Sequence, residues 1–219
     1  MKKVLIFIGL IVLIFGLLII KSFLKERLNF NKNNQPTTFN LNKTLMNKKI
    51  LMVIAFKNFR DEEYFIPKEI LEKNGFIIET TSNKKGLALG ADGGEVEILK
   101  STQEININNY EGIIFVGGSG MAEELDNLEF QKLAQEFYKQ NKLVSAICIA
   151  PALLAKAKVL ENKKATVWAS IMDKSAIKIL EENGAIYQNQ KVIRDKNIIT
   201  ANGPQAAEEF AKEIVKYFQ

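Results

Sequence analysis

The chain has 219 residues, with 30 Lys and Arg against 25 Asp and Glu, a single cysteine and no histidine. That length suits one substantial core and an appendage, since domains usually run to roughly 100–200 residues. Disulfide frameworks, the usual Cys/His zinc sites and every Ser-His or Cys-His dyad are excluded, and the net charge of +5 comes from scattered lysines, so nucleic acid is not an expected partner.

Lys2 and Lys3 precede an unbroken apolar run over residues 4–20. As a helix the run would reach about 26 Å, near the lower limit for crossing a hydrocarbon core. Lys21 can snorkel, Phe23 and Leu24 extend the apolar reach, and no small-x-small cleavage site follows Ile20. The expectation is a retained single-pass membrane anchor over residues 1–28. A count of basic residues favours a cytoplasmic domain, and the signal-like layout tips the reading toward an exported one. Residues 29–47, rich in Asn, Lys, Thr and Gln around Pro36, read as a polar linker, which leaves 48–219 as the folded domain.

Within that domain, short β-rich runs alternate with amphipathic stretches. Residues 50–56 form a continuous apolar strand, 61–74 have helical spacing, Gly75 is a helix stop and 76–81 form a second strand. A Gly-rich stretch over 86–94 reads as irregular. Strands are expected at 95–99, 112–116, 143–147 and 165–168, helices at 128–141, 151–158, 174–183 and 205–218, and a hairpin at 191–201. Strands apolar on both faces and separated by helices predict an α/β, doubly wound parallel sheet, with its chemistry at the carboxyl ends of the strands.

Three segments converge on that edge. Cys148 stands between the 143–147 strand and a helix marked by Pro151, where a tight elbow and a helix N-terminus are expected to favour thiolate. The bland alternative is a small buried hydrophobe. Around Arg60-Asp61-Glu62-Glu63, Pro67 removes the N–H that would bond the Glu63 carbonyl, so Glu63 is free to turn toward the cysteine. The competing reading is helix-start chemistry, with Asp61 as N-cap. Val116-Gly117-Gly118-Ser119-Gly120 lets the backbone approach a ligand, but it lacks the spacing of a phosphate or dinucleotide loop, and no cofactor or metal is expected.

These motifs, in this order, resemble the DJ-1/PfpI family over residues 49–218: a helix opening with Glu63 and Ile66-Pro67, a strand ending in Gly117-Gly118, an Ala146-Ile147-Cys148 elbow and a closing Asn202-Gly203-Pro204. The resemblance implies a flavodoxin-like fold, with Cys148 as nucleophile and Glu63 as its hydrogen-bonded partner. It implies the N–H groups of Gly118 and Ile149 as an oxyanion site, and a homodimer or larger homo-oligomer. Gly117 and Trp168 are expected to line the pocket, although plain core is the default for a tryptophan. The departure is histidine: family members with peptidase, glyoxalase or deglycase activity carry one at places that here look to be Ile149 and Trp168. Three functions compete: a thiol-dependent hydrolase or carbonyl-processing enzyme acting on a small-molecule or peptide substrate, a redox-sensing or stress-protective protein, and a membrane-tethered binding or chaperone module.

Overall fold

A computed structural model describes residues 47–219; the expected anchor at 1–28 and nearly all of the linker at 29–47 lie outside them. No helix among the described residues is long and apolar enough to cross a membrane.

The strands are β1 (Lys49–Val53), β2 (Lys57–Phe59), β3 (Ile77–Ser82), β4 (Gly86–Gly90), β5 (Glu95–Ile98), β6 (Lys100–Ser101), β7 (Gly112–Phe115), β8 (Leu143–Ile147), β9 (Lys164–Ala165), β10 (Ile186–Tyr187), β11 (Val192–Asp195) and β12 (Ile198–Ala201). The helices are α1 (Asp61–Lys73), α2 (Ser119–Glu123), α3 (Leu128–Lys139), α4 (Pro151–Lys156), α5 (Ser175–Glu182) and α6 (Ala207–Tyr217). Seven strands form one sheet in the order β11-β12-β8-β7-β1-β3-β6. Every neighbouring pair runs parallel except the β11/β12 hairpin.

The unalternating apolar strands are explained by what covers them. Leu51, Val53, Ile113, Phe115, Val144 and Ala146 pack against α3, α4 and α5, with Phe130, Phe137, Leu153 and Leu180 at the contact. The intervening Ile50, Met52, Ile114, Leu143 and Ile147 face the other way, onto α1 and α6 through Tyr64, Leu71, Phe210 and Ile214. Successive side chains leave a strand on opposite faces, and both faces here are buried, so the central strands β1, β7 and β8 are almost wholly apolar.

The expected elements are present with ends shifted by a few residues. The Gly-rich stretch is a correction: residues 86–90 form β4, which pairs antiparallel with β5 and parallel with β2 in a small second sheet. Asp61 explains Gly90 and Gly94. Its carboxylate accepts hydrogen bonds from the N–H groups of Asp92 at 2.9 Å and Gly94 at 2.6 Å, so the β4–β5 turn wraps around it. A Cβ on Gly90 or Gly94 would run into that carboxylate. The N-cap expectation for Asp61 is thereby corrected, because Arg60 occupies the cap and Asp61 reaches across to the hairpin. Asp61→Ala should cost about 2 kcal/mol, by leaving two N–H groups of a half-buried turn unpaired. Urea unfolding measures the loss, and hydrogen exchange should quicken at Asp92 and Gly94.

Candidate active site

The chemistry collects where the carboxyl ends of β1, β7 and β8 meet, as open parallel sheets favour. Cys148 directly follows β8 and adopts φ 64°, the left-handed region, which costs a non-glycine residue about 1 kcal/mol or more. Two long-range hydrogen bonds hold it there. Its N–H donates to the Ala201 carbonyl at 2.9 Å, and its carbonyl accepts from the Trp168 N–H at 2.8 Å.

Glu63 lies in the first turn of α1 and is fully buried. Neither carboxyl oxygen has a formed hydrogen bond. The Cys148 thiol and the Gly117 N–H are the groups poised to supply one. Gly117 shows how close the two side chains are: a Cβ there would lie 2.5 Å from the Cys148 Cβ and 2.6 Å from Glu63 Oε2. Gly118, at φ 108°, is pressed on its other side by the segment entering α1, and a Cβ on it would lie 2.5 Å from both Arg60 N and Asn58 O. The two glycines therefore let three chain segments meet at Cys148.

Burial pushes the Glu63 carboxyl up to about 7, against the pull of the Cys148 thiol, the Arg60 charge and the Gly117 N–H. Burial, then the charge of the neighbouring Glu63 carboxyl, push the Cys148 thiol up to about 12, and the N–H groups of Gly118 and Ile149 oppose this. The expectation of a favoured thiolate is thus corrected, since desolvation outweighs the backbone donors. As a pair the two groups lose one proton near neutrality and hold the second far into the alkaline range.

Above the pair opens a cavity of about 460 Å³ lined by Arg60, Glu63, Gly118, Ser119, Ala122, Leu125, Cys148, Ile149, Trp168, Asp173, Ser175, Ile179 and Pro204. A groove of about 620 Å³ along β3 and β5 is larger but does not include Cys148.

A model of the DJ-1/PfpI family matches residues 48–217. The chain belongs to the DJ-1/PfpI family. An uncharacterized protein of Methanocaldococcus jannaschii is 42% identical over 173 residues, covering 78% of this chain and 83% of that one. Among solved structures, the ThiJ/PfpI domain protein from Brachyspira murdochii is similar at TM-score 0.74 and 31% identity, over 78% of this chain and 96% of that one. Drosophila melanogaster DJ-1beta is similar in fold at TM-score 0.68 and 22% identity, over 79% and 91%.

On this DJ-1/PfpI scaffold the structure brings Cys148, Glu63, Gly118, Ile149 and Trp168 to one cavity. Of the two readings of Trp168, pocket lining and plain core, the structure has the first, with the side chain on the cavity wall at 37% exposure. One expectation changes. Gly117 does not line the cavity, because it lies beneath the Cys148–Glu63 pair as the space that lets them approach. Sequence reasoning gave Arg60 and Asp173 no role. Arg60 was visible as a basic residue opening an acidic helix start, whereas nothing in the spacing ties Asp173 to Cys148. Among the described residues, no group of three or more His, Cys, Asp and Glu gathers as a metal site.

Proposed function

We propose that this protein is a cysteine-dependent enzyme that processes small carbonyl compounds. The observation that carries the reading is Cys148, held at positive φ on the cavity wall against a buried glutamate whose oxygens have no formed hydrogen bond. The thiol proton passes to the Glu63 carboxylate as the sulfur adds to the carbonyl carbon. A C–S bond forms, the C=O π pair moves to oxygen, and the N–H groups of Gly118 and Ile149 receive the developing charge. Protonated Glu63 then returns its proton to that oxygen, leaving a neutral thiohemiacetal. Glu63 near 7 suits a group that both takes and gives a proton at neutral pH.

Oxidation of Cys148 to a sulfinate fits less well. Oxidants attack a standing thiolate, which burial of the sulfur disfavours, whereas carbonyl addition needs one only transiently. A conventional Cys-His peptidase mechanism lacks its histidine.

Incubated with small aldehydes and α-dicarbonyls, the protein should consume them. Cys148→Ser should abolish consumption while shifting stability by no more than about 1–2 kcal/mol. Unchanged consumption in the variant overturns the reading.

A further inference from the structure

Of the ionisable groups lining the Cys148 cavity, Arg60 has no part in the proton transfer proposed above. Its backbone is fixed, since its N–H donates to the Gly117 carbonyl at 3.1 Å and its own carbonyl accepts from the Tyr64 N–H at 3.2 Å. Its guanidinium makes one ion pair, Nη1 to Asp92 Oδ2 at 3.2 Å, with the two side chains 40% and 54% exposed. A pair so exposed is weak and easily exchanged. A guanidinium presents five N–H donors in a planar fork, and one monodentate contact leaves most of them free for a second carboxylate. Asp173 is the cavity's other ionisable group outside the pair. Its Oδ1 accepts from the Ser175 N–H at 2.9 Å, and the Ser175 hydroxyl and N–H hold its carboxyl below the usual range. It therefore stays negative and repels an anion from its side, whereas Arg60 attracts one to the side of the α1 N-terminus.

The geometry points to Arg60 as an anion anchor, so that the compounds this site takes are carbonyl compounds that also bear a carboxylate, such as oxo acids. The inference rests on the reading of Cys148 as nucleophile. Asp92 then acts as a competitor for the guanidinium, and removing its charge should strengthen binding of the anion. A purely structural role for the Arg60–Asp92 pair, tying the β4–β5 turn to α1, predicts a charge preference at the sulfur that does not follow the charges at positions 60 and 92.

Alkylation of Cys148 separates these cases. Iodoacetate and iodoacetamide both form an S–CH2 bond and expel iodide, and they differ in bearing a carboxylate or a neutral amide. The readout is the ratio of their rate constants on the full-length protein, divided by the same ratio for a simple thiol in solution. Both reagents report on the same thiolate, so any change in Cys148 acidity cancels in the ratio. The ratio should favour iodoacetate in the native protein. It should fall about five- to tenfold in Arg60→Gln, recover in part in Arg60→Lys, and rise in Asp92→Asn. A ratio that stays the same in all the variants overturns the anchor while leaving Cys148 as nucleophile. A Cys148 that neither reagent alkylates overturns the anchor together with the reading beneath it. Arg60→Gln and Asp92→Asn shift the ratio in opposite directions, so a fold defect in one variant does not mimic the result.

Discussion

Gly117→Ala will cost about 3 kcal/mol of stability, at the upper end of overpacking penalties, and will slow alkylation of Cys148 about a hundredfold. The added methyl would sit 2.5 Å from the Cys148 Cβ, 2.6 Å from Glu63 Oε2 and 2.9 Å from the Ile147 carbonyl oxygen. The Cys148 Cβ and the strand backbone cannot yield, and the buried Glu63 carboxyl can yield only by moving away from the sulfur. Gly93→Ala is the control. It takes φ 94° with nothing within 4 Å, and should lose about 1 kcal/mol through backbone strain alone, with alkylation unaffected. Urea unfolding and iodoacetamide kinetics on both variants give the comparison. Equal losses in the two would show that the space above Gly117 is not what brings cysteine and glutamate together.

Glu63→Gln should change how stability depends on pH. The folded-state carboxyl titrates near 7 against an ordinary 4.5, so the folded protein binds more protons than the unfolded chain between those values. The stabilisation from protonated Glu63 is therefore complete below about 4.5 and is lost as pH rises through about 7. Linkage makes the loss on the order of 3 kcal/mol. Glutamine does not titrate, so the variant should lack this decline and be more stable than the native protein, relative to their difference at pH 4.5, by about that amount at pH 8. The variant's thiol should also titrate lower, because the negative charge that helps hold it up is gone. Unfolding free energies across pH 4.5–8, with thiolate absorbance beside them, test both statements. Parallel pH profiles would show that Glu63 is charged throughout.

The sheet was legible because its strands are buried on both faces. The run Leu143–Ile147 has no polar alternation to hide it, apart from Ser145, and its limits match the expected ones. Glu63 was legible through Pro67 and the family pattern together, since spacing alone left helix-start chemistry open. The second sheet was not legible. β2 is three residues long and mostly exposed, and Gly90 and Gly94 are required by a carboxylate some thirty residues earlier. Asp61 was misread for the same reason, as a local cap competes in sequence with a distant turn and only the folded chain shows which one it serves. The direction of the Cys148 shift was misjudged because the elbow motif displays its backbone donors, whereas the depth at which the sulfur sits depends on what packs over it.

The strand pairing also fixes the site in a way that individual contacts do not. Val53 pairs with Phe115 and Phe115 with Ala146, and all three face the α3–α5 layer. A slip of one residue in β7 or β8 would exchange the residues presented to the two helical layers, so such slips are forbidden by the whole core. Cys148 stands two residues beyond Ala146, Gly117 two beyond Phe115 and the turn toward α1 begins beyond Val53. The sulfur, the cleft beneath it and the entry to the Glu63 helix are thus counted off from a common row of the sheet. Hydrophobic packing distant from the cavity sets the alignment of Cys148 with Glu63, and an insertion in any of these strands would misalign them even with every side chain of the site intact.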